Sequence, residues 1–101
     1  MPSYQIKIEE RALLDIQQGF NYYEEQQPNL GVRFNNSVFQ AFEVLKRNPF
    51  YQIRYDNFRC LPINKFPFMI HYEVEGASKT IIIYAVINTY RDPSKSWVGN
   101  G

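Results

Sequence analysis

Few side chains in this sequence are suited to acid–base or nucleophilic chemistry, and they gather in its second half. There is one histidine, His71, and one cysteine, Cys60. Together they are the ingredients of a thiolate nucleophile. Nothing in the sequence around Cys60 would lower its thiol pKa, however, and a free cysteine in an apolar stretch reads as a small buried hydrophobe. The two also fall short of a zinc site, which would need further N, S or carboxylate ligands at suitable spacing. His71 has the same alternation parity as Glu73 and Glu75, so a strand would set all three on one face. An imidazole–carboxylate pair there could move protons, although the spacing describes a solvated sheet face equally well. The five glycines are scattered and form no phosphate-cradling loop. Neither a metal nor a cofactor is expected.

Phosphate chemistry would fall to the basic side chains, which are unevenly spread. The net charge is only +1, too little for a protein that coats nucleic acid through bulk electrostatics. Residues 1–30 carry two basic and five acidic side chains, net −3, whereas residues 31–101 carry nine and five, net +4. Arg54, Arg59, Lys65, Arg91 and Lys95 make the second part basic. The length of 101 residues suits one domain spanning 1–101, and 17% aromatic residues are enough to build a core, which excludes disorder. A single cysteine excludes a disulfide framework. The first ten residues lack the apolar core of a signal peptide, and the longest apolar run, Ile81 to Ile87, is too short to span a bilayer. A cytoplasmic protein without a membrane partner is expected.

The elements that must position these residues follow from periodicity. Tyr4, Ile6 and Ile8 alternate with polar residues, as in a half-buried strand. Leu13, Ile16, Phe20 and Tyr23 then fall at helical spacing, as do Phe34, Val38, Ala41, Phe42 and Leu45. Pro28, Asn29 and Gly31 separate the two helices, and Pro49 stops the second. Phe58 to Ile63 reads as a strand. Phe68, Ile70, Tyr72 and Val74 give a second with one polar face, and Lys79 to Asn88 gives a third, apolar enough to be covered on both faces. Glu75-Gly76-Ala77-Ser78 supplies the turn between the last two, with Gly76 as its positive-φ residue. The expected fold is α+β, in the order β-α-α-β-β-β, with the helical hairpin on one face of a mostly antiparallel sheet.

Residues Arg59 to Trp97 read RCLPINKFPFMIHYEV and then IIIYAVINTYRDPSKSW. With Tyr22-Tyr23-Glu24-Glu25-Gln26 and Arg33-Phe34 upstream, this pattern resembles the RelE/ParE superfamily of toxins from bacterial type II toxin–antitoxin systems, often labelled plasmid-stabilisation proteins. The resemblance covers roughly Tyr4 to Trp97. It rests on Arg59 opening a strand, Lys65-Phe66-Pro67-Phe68 at the next turn, Tyr72 on the strand after it, and Ile83-Tyr84-Ala85-Val86-Ile87 leading into Arg91, Pro93 and Trp97.

The resemblance implies growth inhibition by one of two routes. RelE-like members cleave mRNA on the ribosome, where a 2′-hydroxyl attacks the adjacent phosphate and cationic side chains stabilise the charge that develops. ParE-like members poison DNA gyrase by binding it. In both, a cognate antitoxin wraps and blocks the toxin. Carried over by position, Arg59 and Arg91 match the family's basic residues at a strand start and after the last strand, and Tyr90 is the candidate to orient a base or donate a proton. These three form the catalytic set if the protein is a ribosome-dependent endoribonuclease. Lys65, His71 and Asn88 are the candidates for target or antitoxin binding.

Two departures weigh toward the binding route. Many relatives carry histidine where this chain has Asn88, and asparagine cannot shuttle a proton. Ribosome-directed relatives tend to be strongly basic, whereas this chain is nearly neutral. The remaining alternative is a non-toxic interaction module that keeps the fold and binds only its antitoxin or itself.

Overall fold

The computed structural model describes residues 4–89. Strand β1 (Gln5–Ile8) is followed by helices α1 (Glu10–Gln26) and α2 (Leu30–Arg47). Strands β2 (Ile53–Tyr55), β3 (Phe58–Pro62), β4 (Phe68–Glu75) and β5 (Thr80–Asn88) complete the order. They form one sheet in the order β1-β5-β4-β3-β2, with β1 parallel to β5 and all other pairs antiparallel. The α+β class and the helical hairpin on one sheet face are as expected. The one addition is β2. Its two register pairs, Ile53 with Arg59 and Tyr55 with Phe58, are too few to leave an alternation in the sequence.

The helices pack through a narrower face than hydrophobic spacing suggested. Leu13, expected inside, is 52% exposed; the inward residues of α1 are Ala12, Ile16 and Gly19. Close approach of α2 is the reason. A Cβ on Gly19 would sit 2.5 Å from the Phe34 ring, so only glycine lets that ring lie against α1. Phe34, Val38 and Leu45 then meet Ile70, Tyr72, Ile81, Ile83 and Val86 to form the core.

The α1–α2 turn is held by a side chain from within α1. Glu24 Oε2 accepts the Asn29 N–H and its Oε1 accepts the Gly31 N–H, both at 2.9 Å. These donors at the start of α2 have no partner within the helix, so a carboxylate there satisfies them and suits the helix dipole. Asn29 itself adopts a left-handed backbone, φ 72°, which asparagine tolerates better than most residues.

Two details of the β region differ from expectation. The left-handed residue of the β4–β5 turn is Lys79, φ 53°, and Gly76 does not take a positive φ. On the sheet face away from the helices, Ala85 and Ile87 of β5 are buried while Ile82 and Tyr84 are half-buried, so the two faces are not covered alike. A bulge explains the change of side along β5. Tyr72 pairs with Ile83 and His71 with Ala85, which leaves Tyr84 as the extra residue. β1 pairs no farther than Ile83; beyond it, Asp15 Oδ2 of α1 accepts the Val86 N–H at 3.0 Å. Asp15 is thus a buried carboxylate that completes the edge of β5.

Candidate functional site

Cross-strand register decides which candidates can meet. Arg59 of β3 pairs with Tyr72 of β4, and Cys60 pairs with His71. Directly opposed residues share a face, so Arg59 and Tyr72 face the helices and Cys60 and His71 face the other way. Arg59 and His71 therefore lie on opposite faces of one sheet.

On the helix side, Arg59 and Tyr72 hold the segment that joins α2 to β2. Tyr72 is fully buried, and its Oη donates to the Pro49 carbonyl at 2.8 Å. Arg59 Nη1 donates to the Tyr51 carbonyl. Its guanidinium also lies 5.4 Å from the centre of the Phe50 ring, at cation–π range. Burial is the main reason the Tyr72 phenol is pushed up to about 12. The clamped segment presents apolar side chains outward: Phe50 is 56% exposed, Tyr51 38% and Ile53 46%.

On the other face, His71 is 2% exposed and makes two polar contacts through one nitrogen. Its Nδ1 is 2.8 Å from Tyr55 Oη and 3.2 Å from Cys60 Sγ. Burial above all, with the charge of Arg54 adding to it, pushes the imidazole down to about 4. Burial pushes the Cys60 thiol up to about 11. Near neutral pH the pair is a neutral imidazole and a protonated thiol, the reverse of what a thiolate nucleophile requires. Tyr55 stacks on Phe58 at 5.2 Å, and Phe58 meets Tyr84 edge-on at the same distance. Glu73 and Glu75 share this face, as the alternation implied. The Tyr84 phenol is pushed up to about 12 by burial first, then by its hydrogen bond to Glu73 and the charges of Glu73, Glu9 and Glu75.

Lys65 and Asn88 lie elsewhere, at one end of the sheet. Lys65 is an exposed residue of the β3–β4 turn with φ 72°. Asn88 pairs with Phe68 at the end of β5, and the next residue, Thr89, donates its N–H to the Pro67 carbonyl at 2.8 Å. Tyr90, Arg91 and Trp97 fall outside the described residues. Among the described candidates, then, the register separates Arg59, His71 and the Lys65–Asn88 end into three places.

Beside Asn88 is a cleft of about 430 Å3 between α1 and the ends of β4 and β5. Asp15, Gln18, Tyr22 and Tyr23 form its α1 wall, with Phe68 and Asn88 on the sheet side. Of these, the sequence pointed only to Asn88 as a site residue. Helical spacing marks Tyr23 as a packing residue. Tyr23 does pack, with its ring 4.8 Å from that of Phe66, but Tyr22 stands at the cleft 57% exposed. The available signal was the spacing of residues 15, 18, 19, 22 and 23, which places them along one side of a helix. Among the described residues no group of three or more His, Cys, Asp or Glu is placed to hold a metal ion. No described helix is long and apolar enough to cross a membrane.

Comparison with known proteins bears on the whole chain. Its fold is shared by the chromosomal ParDE toxin–antitoxin system of P. aeruginosa, with a TM-score of 0.73 at 18% identity over 84% of this chain and 95% of that one. The RelBE2 toxin–antitoxin complex of Mycobacterium tuberculosis gives a TM-score of 0.61 at 17% identity, covering 87% and 93%. The archaeal RelE–RelB complex of Pyrococcus horikoshii gives 0.57 at 13% identity, covering 91% and 100%. A sequence search of curated proteins finds no match. The family model for the ParE toxin of the type II toxin–antitoxin system parDE matches residues 6–93. That match spans most of the 101 residues, and the chain belongs to the ParE toxin family of type II toxin–antitoxin systems.

Proposed function

We propose that this toxin arrests growth in the cytoplasm by binding DNA gyrase rather than by cutting mRNA, and that a cognate antitoxin neutralises it. The observation that carries this reading is that the chain's one histidine is buried on the sheet face opposite Arg59, so no imidazole can act as acid or base beside that arginine. Cleavage at a 2′-hydroxyl needs a base, a cationic stabiliser and an acid within reach of one phosphate. Arg59 is engaged by the Tyr51 carbonyl and the Phe50 ring on one face of the sheet. His71 is buried on the other face with Tyr55 and Cys60. A neutral histidine with little access to solvent is poorly placed to exchange protons with a bound RNA. The family match to ParE points the same way.

A binding mechanism asks for an exposed, partly apolar surface with arginines near it, since interface cores favour aromatics and Arg. Phe50, Tyr51 and Ile53, with Arg54 on the same edge strand, supply one. In this reading Arg59 is a positioning residue that fixes the shape of that surface from beneath. The test is a supercoiling assay with purified gyrase and purified toxin. Inhibition that rises with toxin and weakens about tenfold in Arg54→Glu and Ile53→Asp supports the reading. Full gyrase activity at saturating toxin overturns it.

A further inference from the structure

The outer face of the α1–α2 hairpin, turned away from the sheet, carries two exposed stripes of matching form. Glu10, Leu14, Gln17, Asn21 and Glu25 follow one another along α1 at spacings of four, three, four and four. Val32, Asn36, Phe39, Glu43 and Arg47 repeat those spacings along α2. Each set lies on one side of its helix, opposite the buried residues, and every member is exposed. Each stripe holds a large apolar side chain in the open, Leu14 at 55% exposure and Phe39 at 48%.

Charge divides between the two helices. α1 carries Glu10, Asp15, Glu24 and Glu25 against Arg11, whereas α2 carries Arg33, Lys46 and Arg47 against Glu43. Part of this is neutralised locally: Arg11 pairs with Asp15 and Lys46 with Glu43, and Glu24 takes the N–H groups of Asn29 and Gly31. Among the described residues, the charges left over are an acid at each end of the α1 stripe, Glu10 and Glu25, and an arginine towards each end of α2, Arg33 and Arg47. A surface that fits this face must be basic where it meets α1 and acidic where it meets α2. A second copy of the hairpin meets that demand. Turned half a revolution about an axis parallel to the helices, it lays α1 of each copy against α2 of the other.

The levels agree as well. Gly19 of α1 meets the Phe34 ring of α2. From that crossing, Leu14 is five residues away along α1 and Phe39 five residues away along α2, in the same direction because the helices are antiparallel. The rotation keeps every residue at its level, so Leu14 of each copy faces Phe39 of the other. Glu10 then lies about 6 Å along the axis from Arg47 of the second copy, and Glu25 about 7.5 Å from Arg33, spans that an extended arginine bridges.

We propose that the outer face of the hairpin is a self-association surface, through which two copies of this chain form a two-fold dimer with α1 packed against α2. Two Leu14–Phe39 contacts form its apolar middle and the leftover charges pair at its ends. The face is about 25 Å long and two helices wide, so the dimer buries about 1,000 Å2 in total. That is the lower limit of a specific interface and describes a reversible dimer. The β2 edge lies outside this face, and the proposal does not rest on the toxin reading.

The test is sedimentation velocity of the full chain from micromolar to near-millimolar concentration. The unmodified chain is expected to show a reversible monomer–dimer equilibrium, and Phe39→Asp should weaken it about tenfold or more. Two charge variants give the specific readout, one combining Glu10→Arg with Glu25→Arg and the other Arg33→Glu with Arg47→Glu. Each alone should dimerise about tenfold more weakly, because like charges then face each other. An equimolar mixture should recover a heterodimer about as tight as the unmodified dimer, since opposite charges face again at every end. An unmodified chain that stays monomeric at every concentration overturns the proposal. So does a dimer indifferent to these substitutions, one lost in Ile53→Asp on the β2 edge instead, or a mixture that does not recover.

Discussion

Arg59 and Tyr72 are direct cross-strand partners, and both reach through the helix face of the sheet to backbone carbonyls of the same short segment, Tyr51 and Pro49 respectively. The pair turns a connection that follows a helix-ending proline into a fixed surface. Tyr72→Phe removes one of two donors to the buried Pro49 carbonyl, which keeps the Tyr51 N–H, and should cost about 0.5–1.5 kcal/mol in urea denaturation. Because both residues hold one segment, Tyr72→Phe and Arg59→Ala should be non-additive in a double-mutant cycle, coupled by about 0.5 kcal/mol or more. Strict additivity would mean that the segment is not a shared unit.

The buried histidine makes stability depend on pH in a defined window. His71 is held down to about 4 in the folded chain, against an ordinary value of 6.5, by burial and by Arg54. The unfolded chain thus binds the proton more readily between those values. The stability contributed is fully present above about 6.5 and is lost as pH falls through about 4. Across that window the loss should approach about 3 kcal/mol, beyond what the carboxylates contribute. Denaturation midpoints measured from neutral pH to the acid limit should show the slope, and His71→Phe should flatten it. An unchanged slope in that variant would place the titration elsewhere.

The Glu24 carboxylate joins the two helices by accepting two N–H groups at the start of α2. Glu24→Ala should lower stability by about 1–2 kcal/mol, and Glu24→Gln by less, since an amide oxygen can keep one of the two bonds. Hydrogen exchange at Asn29 and Gly31 is the specific readout. Both amides should exchange faster in Glu24→Ala while the core strands stay protected. If the two amides stay protected, the carboxylate is not their partner.

Gly19 is where α2 comes closest to α1. Gly19→Ala puts a Cβ about where the Phe34 ring lies and should destabilise by about 1–3 kcal/mol through displaced core packing, despite the better helix propensity of alanine. A stabilised Gly19→Ala variant would show that the helices sit farther apart.

Much of the architecture is legible in the residues, and what is not has identifiable causes. Alternation along Phe68–Glu75 and the isoleucine run of β5 announce the central hairpin, because a two-residue period survives in any strand with one buried face. Leu13 misleads because periodicity counts large apolar residues, whereas α1 turns its small ones inward, Ala12 into the core and Gly19 against Phe34. β2 leaves no pattern because it is three residues long. Asp15 looks like a solvated helix carboxylate until β1 is seen to end opposite Ile83. The site was less legible than the fold. The shared face of His71 and Glu73 follows from spacing, but the contacts of His71 with Cys60 and Tyr55 depend on register. So does the separation of His71 from Arg59.

The mode of toxicity is read most directly by inducing the chain in cells without its antitoxin and examining DNA and mRNA from one culture. Binding of gyrase should arrest growth with broken DNA covalently attached to gyrase, while ribosome-bound transcripts remain whole, and His71→Phe should stay toxic. Transcripts cut within codons, intact DNA, and loss of toxicity in His71→Phe at normal protein levels would contradict the account.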